Sequence, residues 1–309
     1  MNDWIPLIGQ QMREQVSCWF TAEPLARFSE RYIEEKLRES VKFGQLTVLH
    51  YRMFGGAGHE VYKAAAAVEL FILASDILDD LQDRDAPDKP WMQAPDAVSL
   101  HVACSLLTLS QQVMLNSTGD DRIRIGLLEM MNRQLLQAAN GQMLDLMNDA
   151  YDEQEYIDTV KQKSAALLIF ACQTGVLLAG HPWNEGVEEY AMEIGIAAQL
   201  KNDVRDMLRW DDKSDFLQKK KTLITLFLLE SLAEEDLWIK DYYEGRLSKD
   251  DIADKQDCFV QACERTGASL YGSVMSRMHY NRFVELLESF QEEGPWKDMF
   301  LHILRQEIA

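Results

Sequence analysis

The chain has 309 residues, 47% of them apolar, and its seven Pro and sixteen Gly are few for a turn-rich all-β protein. Its formal net charge of −20 argues against nucleic acid and against a general anionic membrane surface as partners. The five Cys are odd in number and show no zinc spacing, and no signal peptide is evident. We therefore expect reduced thiols and a cytoplasmic location, with peripheral membrane association left open.

Hydrophobic periodicity predicts helices along the whole chain, without the alternation typical of strands. In order, we expect two or three helices over Met1–Phe54, a break at Gly55–Gly58, a central helix ending at Asp83, a loop at Asp85–Trp91, and helices over Ala94–Ser117, Asp121–Asn148, Asp152–Gly180 and Glu185–Trp210. Later helices are expected to open at Lys219–Thr222, at a capping box beginning with Ser248, and after Pro295. The prediction is one all-α domain over residues 1–309.

The longest apolar run, Ala165–Gly180, contains Gln173 and Thr174 and falls short of the roughly 20 residues that a membrane-spanning helix needs. We interpret it as a core helix and predict no transmembrane segment.

The central helix carries an acidic face. Between Glu69 and Asp83 the chain has no Gly or Pro, and at about 100° per residue Asp76, Asp79, Asp80 and Asp83 fall within an arc of roughly 100°. Carboxylates gathered on one face of an apolar helix repel each other and resist desolvation unless a cation lies among them. Taken alone, such a face is usually only solvated surface.

A second cluster repeats the spacing. Asn202, Asp203 and Asp206 stand at positions i, i+1 and i+4 beside another apolar run, as Asp79, Asp80 and Asp83 do. Hard oxygen ligands suit Mg²⁺, which usually takes its remaining ligands from water and substrate phosphates. Two such clusters on inward-facing helices predict a clamp in which Mg²⁺ bridges the protein and a diphosphate.

Other segments surround the two clusters in a definite order. They are Gly141-Gln142 with Asp145, Lys163-Ser164, Gln199, Asp215, and Lys220-Lys221-Thr222. Together with both acidic clusters, this set resembles the motifs of the trans-isoprenyl diphosphate synthases over roughly residues 40 to 230. The resemblance implies a single-domain helical bundle with a central cavity for a prenyl diphosphate, and it suggests a homodimer.

The resemblance also implies roles for the matching residues. It makes metal ligands of Asp79, Asp80, Asp83, Asn202, Asp203 and Asp206. It gives contacts with the diphosphate to Arg84, Gln142, Lys163, Gln199 and Lys220. The residues expected to carry catalysis are Asp79, Asp80, Asp83, Lys163 and Lys220, through stabilisation of the leaving diphosphate.

The chain departs from the chain-elongating members at the expected site for isopentenyl diphosphate. Where those enzymes have Gly-Lys-x-x-Arg-Pro, this chain reads Glu39–Gln45, with one Lys (Lys42) and no Arg. The Arg pair expected after the first cluster is reduced to Arg84, and the second cluster begins with Asn202 instead of Asp. This combination resembles the ComQ group, whose enzymes prenylate a tryptophan of a secreted pheromone precursor peptide in quorum sensing and competence.

Three alternatives remain open. A chain-elongating synthase would need cations for a second diphosphate, which Glu39–Gln45 lacks. A class I terpene cyclase would have Ser or Thr at Asp206 and Glu near Trp210. A non-catalytic helical regulator that binds a prenyl diphosphate or a peptide would have no use for the metal ligands.

The donor is expected to be geranyl or farnesyl diphosphate, with a preference for farnesyl. In the resembling family, residues four and five before the first cluster line the tunnel for the hydrocarbon tail, and here they are the small Ser75 and Ala74. Phe71 lies eight residues before Asp79, about 12 Å along the helix at 1.5 Å per residue, and is expected to form the tunnel floor.

Overall fold

A computed structural model describes residues 4–84, 86–211, 213–290 and 295–308. Within these ranges the helices are α1 (Trp4–Trp19), α2 (Glu23–Glu39), α3 (Lys42–Met53), α4 (Glu60–Asp83), α5 (Asp96–Leu115), α6 (Asp121–Met147), α7 (Glu153–Val160), α8 (Ala166–Leu178), α9 (Glu185–Met207), α10 (Leu223–Glu230), α11 (Leu237–Tyr243), α12 (Gln256–Thr266), α13 (Ala268–Ser289) and α14 (Trp296–Ile308). A π-helical turn at Lys161–Ala165 joins α7 to α8, and short 3₁₀ turns cover Glu234–Asp236 and Asp250–Ile252. These ranges contain no strand, as expected.

Helix α4 lies at the centre of the bundle. It packs against α1, α2, α3, α5 and α8, and its residues from Ala64 to Ala74 are all buried. The four consecutive Ala at 64–67 favour helix formation and allow neighbouring helices to approach closely. Its last turns are more exposed, so the acidic face emerges from the core at the carboxyl end of the helix.

Helix α9 brings the second acidic cluster to the same end of the bundle. It packs against α8 on one side and α13 on the other. Beyond α9, a smaller aromatic core fixes the chain, since Phe216 stacks on Phe259 with ring centroids 4.0 Å apart and on Trp210 at 5.5 Å. This core holds the segment containing Asp215 and Lys220 beside the end of α9.

The structure differs from the predicted helix limits in three places. The helix expected over Asp152–Gly180 is divided by the π turn. Lys219–Lys221 lie before α10, because Thr222 caps it by accepting a hydrogen bond from the Thr225 backbone N–H at 3.3 Å. The pair Ser248–Asp251 forms the expected side-chain contacts, but they close a 3₁₀ turn.

Among the described residues, one helix, α5, is long and apolar enough by length and composition to cross a membrane. Core helices of soluble proteins meet the same criterion, and α5 packs along α4. Its most apolar window is nevertheless only 44% buried. The exposed side of α5 is mixed in character, with Leu100 and Cys104 beside His101, Thr108 and Gln111.

Candidate active site

One cavity of about 750 Å³ opens between the carboxyl ends of α4 and α9. Eight of the eleven predicted site residues line it: Asp79, Asp83, Lys163, Gln199, Asn202, Asp203, Asp206 and Lys220. Asp145 and Asp215 join them in the lining. The fold therefore brings the two acidic clusters, separated by more than a third of the sequence, to the walls of one cavity.

Lys163 links the first cluster to α6. Its Nζ lies 2.6 Å from Asp145 Oδ2 and 3.2 Å from Asp79 Oδ1. Burial lowers the pKa of Lys163, but the carboxylates of Asp79 and Asp145 outweigh burial, and the pKa is raised above its usual value. Gln142 Nε2 donates to the same Asp79 oxygen at 2.7 Å. Lys163 thus stays protonated in the cavity wall, facing Asp79.

The π turn and one glycine bring Lys163 to this position. A Cβ on Gly141 would lie 2.3 Å from the Lys163 backbone nitrogen, so no larger residue at 141 would allow α6 to approach the turn as closely. Single π turns within α-helices are frequent at functional sites. Gly141 in the Gly-Gln pair therefore serves packing, while its neighbour Gln142 contacts Asp79.

Lys220 pairs with the other acidic residue of the first cluster that lines the cavity. Its Nζ lies 2.9 Å from Asp83 Oδ2, and although burial opposes it, the Asp83 carboxylate raises the pKa of Lys220. Asn148 fixes this turn, since its Nδ2 donates to the Lys219 carbonyl at 2.8 Å and its Oδ1 accepts from the Lys221 N–H at 2.7 Å. Asn148 was not predicted; the one sequence signal was Asn just after a helix end.

In the second cluster Asp203 is buried, whereas Asn202 is exposed. Asp203 accepts hydrogen bonds from the Tyr156 hydroxyl and, at 2.9 Å, from Gln199 Nε2. Gln199 is held in turn by Ser164 Oγ, which donates to its Oε1 at 2.9 Å. Burial outweighs these bonds and raises the pKa of Asp203 to about 6. Tyr156 was also missed by the sequence analysis, because a lone Tyr near a helix start carries no motif.

Asp215 lies beside the second cluster in the cavity wall. Its burial, reinforced by the neighbouring carboxylate of Asp203, raises the pKa of Asp215 to about 8. Both pKa shifts come mainly from burial, and a cation bound beside these two carboxyl groups would favour their ionised forms.

Three predicted residues lie outside the lining of this cavity. Gln142 does not line the cavity itself but donates a hydrogen bond to Asp79, which does. Asp80 accepts a hydrogen bond at 2.6 Å from the indole N–H of the buried Trp91. Arg84 adopts a left-handed backbone (φ 57°), so its side chain, 78% exposed and 3.9 Å from Asp96, leads away to a second cavity.

The donor set suits a divalent cation that is shared with a substrate. Among the described residues, no three Asp, Glu, His or Cys side chains converge closely enough to hold a metal ion by themselves. The carboxylates instead face one another across the cavity, where oxygens of a bound diphosphate would complete the ligand sets. Carboxylate and amide oxygens with substrate phosphate are the ligands typical of Mg²⁺.

The expected tunnel wall is not in this cavity. Ala74 is fully buried, Phe71 packs edge-to-face on Phe170 at 5.5 Å, and neither they nor Ser75 line the cavity. The apolar part of the lining comes instead from other helices, through Phe43, Val160, Leu167 and Leu168. The donor's tail length stays a prediction.

Comparison with known proteins agrees with this arrangement. Residues 43–261 match the model of the polyprenyl synthetase family. Tryptophan prenyltransferase ComQ of Bacillus subtilis (strain 168) is 31% identical over 95% of this chain and 96% of its own length. A decaprenyl diphosphate synthase from Rhodobacter capsulatus superposes with a TM-score of 0.82 at 20% identity, covering 100% of this chain and 96% of that one.

A further solved structure shares this fold. A polyprenyl synthase from Caulobacter crescentus CB15, complexed with calcium and isoprenyl diphosphate, superposes with a TM-score of 0.81 at 18% identity, covering 99% of this chain and 94% of that one. Divalent metal ions are the class of cofactor that this family uses.

The helical bundle and its acid-lined cavity define the class: this is the all-α fold of the isoprenyl diphosphate synthases. The chain belongs to the polyprenyl synthetase family. The expected fold, the class of enzyme (a prenyltransferase) and the resemblance to the ComQ group are confirmed.

Proposed function

We propose that this enzyme transfers a geranyl or farnesyl group from its diphosphate to a tryptophan of a pheromone precursor peptide, with Mg²⁺ as the metal. The observation that carries the proposal is the pairing of two lysines with two carboxylates across one cavity, Lys163 with Asp79 and Lys220 with Asp83. The similarity to a tryptophan prenyltransferase over 95% of the chain supports tryptophan as the acceptor.

The lysines act on the leaving group. Lys163 and Lys220 are held protonated, so each offers a positive charge and N–H donors to diphosphate oxygens as the bond from carbon 1 of the prenyl chain to oxygen breaks. The electron pair leaves with the diphosphate, a ring carbon of the indole bonds to carbon 1, and the indole gives up a proton. When bound at Asp79, Asp83, Asn202, Asp203 and Asp206, Mg²⁺ would add positive charge to those same oxygens.

The amino end of α3 supports an uncharged acceptor. Lys42 lines the cavity, but burial lowers its pKa to about 8. The nearby Lys36 is already paired with Asp76 at 2.7 Å. Phe43, next to Lys42, presents an aromatic ring to the cavity. Burial therefore weakens Lys42 as a binding group for a second diphosphate, whereas an indole requires no cation.

The test offers each of the two possible acceptors, in separate reactions, to the same enzyme preparation. Purified enzyme with Mg²⁺ and farnesyl or geranyl diphosphate receives either isopentenyl diphosphate or a Trp-containing precursor peptide. Mass spectrometry is expected to show one prenyl increment on the peptide, and none when its Trp is replaced by Ala. Efficient elongation of isopentenyl diphosphate without a peptide product would return the protein to the chain-elongating synthases.

We also propose that the enzyme is a homodimer through α5 and α6. Ile125, Leu136, Met143 and Met147 are 56 to 69% exposed, and at 100° per residue they fall within an arc of about 40° along α6. Leu100 on α5 is also half exposed. These apolar side chains share their face with the exposed Glu129, and on a chain of net charge −20 we expect a second copy to cover them.

Leu136→Glu is therefore expected to shift the enzyme from dimer to monomer in sedimentation velocity. Leu270→Glu is the matched control, because Leu270 on α13 has the same 69% exposure and lies outside the stripe. A wild-type monomer, or equal dissociation by both variants, contradicts the interface.

We place the reaction in the cytoplasm; cell fractionation would show whether part of the enzyme is bound to membranes.

A further inference from the structure

A second cavity of about 560 Å³ adjoins the first. Asp83 and Gln218 line both cavities, so the two spaces meet beside the carboxylate that Lys220 holds. The predicted function gives the second cavity no role.

The second cavity is lined by an excess of positive charge. Arg84, Lys219 and Lys249 contribute to its wall, and the charge of Asp83 is offset by Lys220. The ion pair between Arg84 and Asp96 is long, at 3.9 Å, and both side chains are more than three-quarters exposed. Water and salt therefore screen that pair. The first cavity, by contrast, is lined by equal numbers of basic and acidic side chains, seven of each.

The backbone holds two of these cations in unusual conformations. Arg84 and Lys219 have φ angles of 57° and 59°, in the left-handed region that residues other than glycine seldom adopt. Asn148 fixes the Lys219 conformation by donating to its carbonyl, and the Lys219 Nζ lies 4.5 Å from the centroid of the Tyr242 ring. Lys219 is therefore held in place, and its side chain lies along the cavity wall.

The size of the cavity decides which anion fits. A volume of about 560 Å³ is in the range that accommodates a drug-sized ligand, and far exceeds what an inorganic diphosphate fills. A short stretch of peptide chain fills such a volume. Its acidic side chains would meet attractive charge here, while most of this enzyme's surface would repel them.

We propose that the second cavity binds acidic residues of the acceptor peptide, next to the tryptophan that enters the first cavity. The inference rests on the proposed function, since it requires a peptide acceptor. It makes Arg84, Lys219 and Lys249 determinants of peptide specificity, with no part in breaking the bond to the diphosphate.

Lys249→Glu tests the assignment with the full-length enzyme and Mg²⁺. The probes are three synthetic decapeptides with one Trp, flanked by two Glu, two Gln or two Lys. For the Glu peptide, we expect Lys249→Glu to raise KM about tenfold, equivalent to about 1.4 kcal/mol, with kcat and the KM for farnesyl diphosphate unchanged. For the Lys peptide we expect the opposite, a lower KM for Lys249→Glu than for the wild-type enzyme. Lys240→Glu, a charge reversal at another exposed lysine outside both cavities, is expected to leave the KM of every peptide unchanged.

Equal KM changes for all three peptides, or the same change in Lys240→Glu, would overturn the inference. So would a rise in the inhibition constant of inorganic diphosphate without any change for the Glu peptide, because the cavity would then be a site for released diphosphate. Calorimetric titration of the peptides separates this inference from the proposed function. Charge-dependent binding without transfer contradicts only the proposed reaction, whereas absence of binding to the wild-type enzyme contradicts the peptide site.

Discussion

Asp79→Asn is expected to lower turnover by about 100-fold or more, because Asp79 contacts Lys163 and Gln142 and is a proposed metal ligand. It lines the cavity, and its Oδ1 accepts from both Lys163 and Gln142. Asparagine keeps the volume but removes one ligand charge, so the Mg²⁺ concentration needed for half-maximal activity should also rise.

Circular dichroism and steady-state kinetics with a Mg²⁺ titration measure this outcome. Helical content is expected to remain at the wild-type level, because Asp79 is only partly buried. Asp254→Asn, the same replacement at an exposed position away from the cavity, serves as the control and should retain full activity. Near-normal turnover of Asp79→Asn would remove Asp79 from the metal site.

Asp215→Asn is expected to stabilise the metal-free enzyme at pH 8 while impairing catalysis. The folded-state pKa of about 8 lies above the unfolded value near 3.9, so folding favours the protonated carboxyl. This contribution is fully present below about pH 4 and is lost as the pH rises to about 8, where the wild-type fold holds an ionised, buried Asp215. Asparagine never ionises and avoids that cost, although it also gives up the attraction to Lys220.

Thermal unfolding without metal, followed from pH 5 to pH 8, measures the effect. The Tm of the variant should exceed that of the wild type by at least about 2 °C at pH 8, and the difference should shrink toward pH 5. Adding Mg²⁺ and inorganic diphosphate should stabilise the wild type more than the variant, because ligand binding favours the state that binds. A difference in Tm that does not vary with pH would show that Asp215 is ionised without penalty in the fold.

The sequence was sufficient to predict which acidic residues share a helix face, because that depends only on the helical period. Asp79 and Asp83 share an arc of α4, Asn202 and Asp203 repeat the spacing on α9, and these residues do face one cavity. Two long, glycine-poor helices fix such directions locally, so no tertiary information was needed.

The parts that depend on chain ends and turns were not predictable. Asp80 lies on the predicted arc, but a Trp91 indole from the following loop binds it. Arg84 is one residue past Asp83, where a left-handed backbone turns the chain away. Asn148 and Tyr156 act through contacts with segments distant in sequence, which no spacing reveals.

The π turn at Lys161–Ala165 was also not evident from the hydrophobic pattern. It determines how α7 is rotated relative to α8, the helix that continues it. An extra residue in a turn shifts the faces before and after it by about 100°. Here Lys163 reaches Asp79 and Asp145, while the adjacent Ser164 reaches Gln199. Winding this segment as a regular α-helix would rotate α7 relative to α8. The irregular turn therefore lets Tyr156 on α7 reach Asp203 while α8 stays packed in the core.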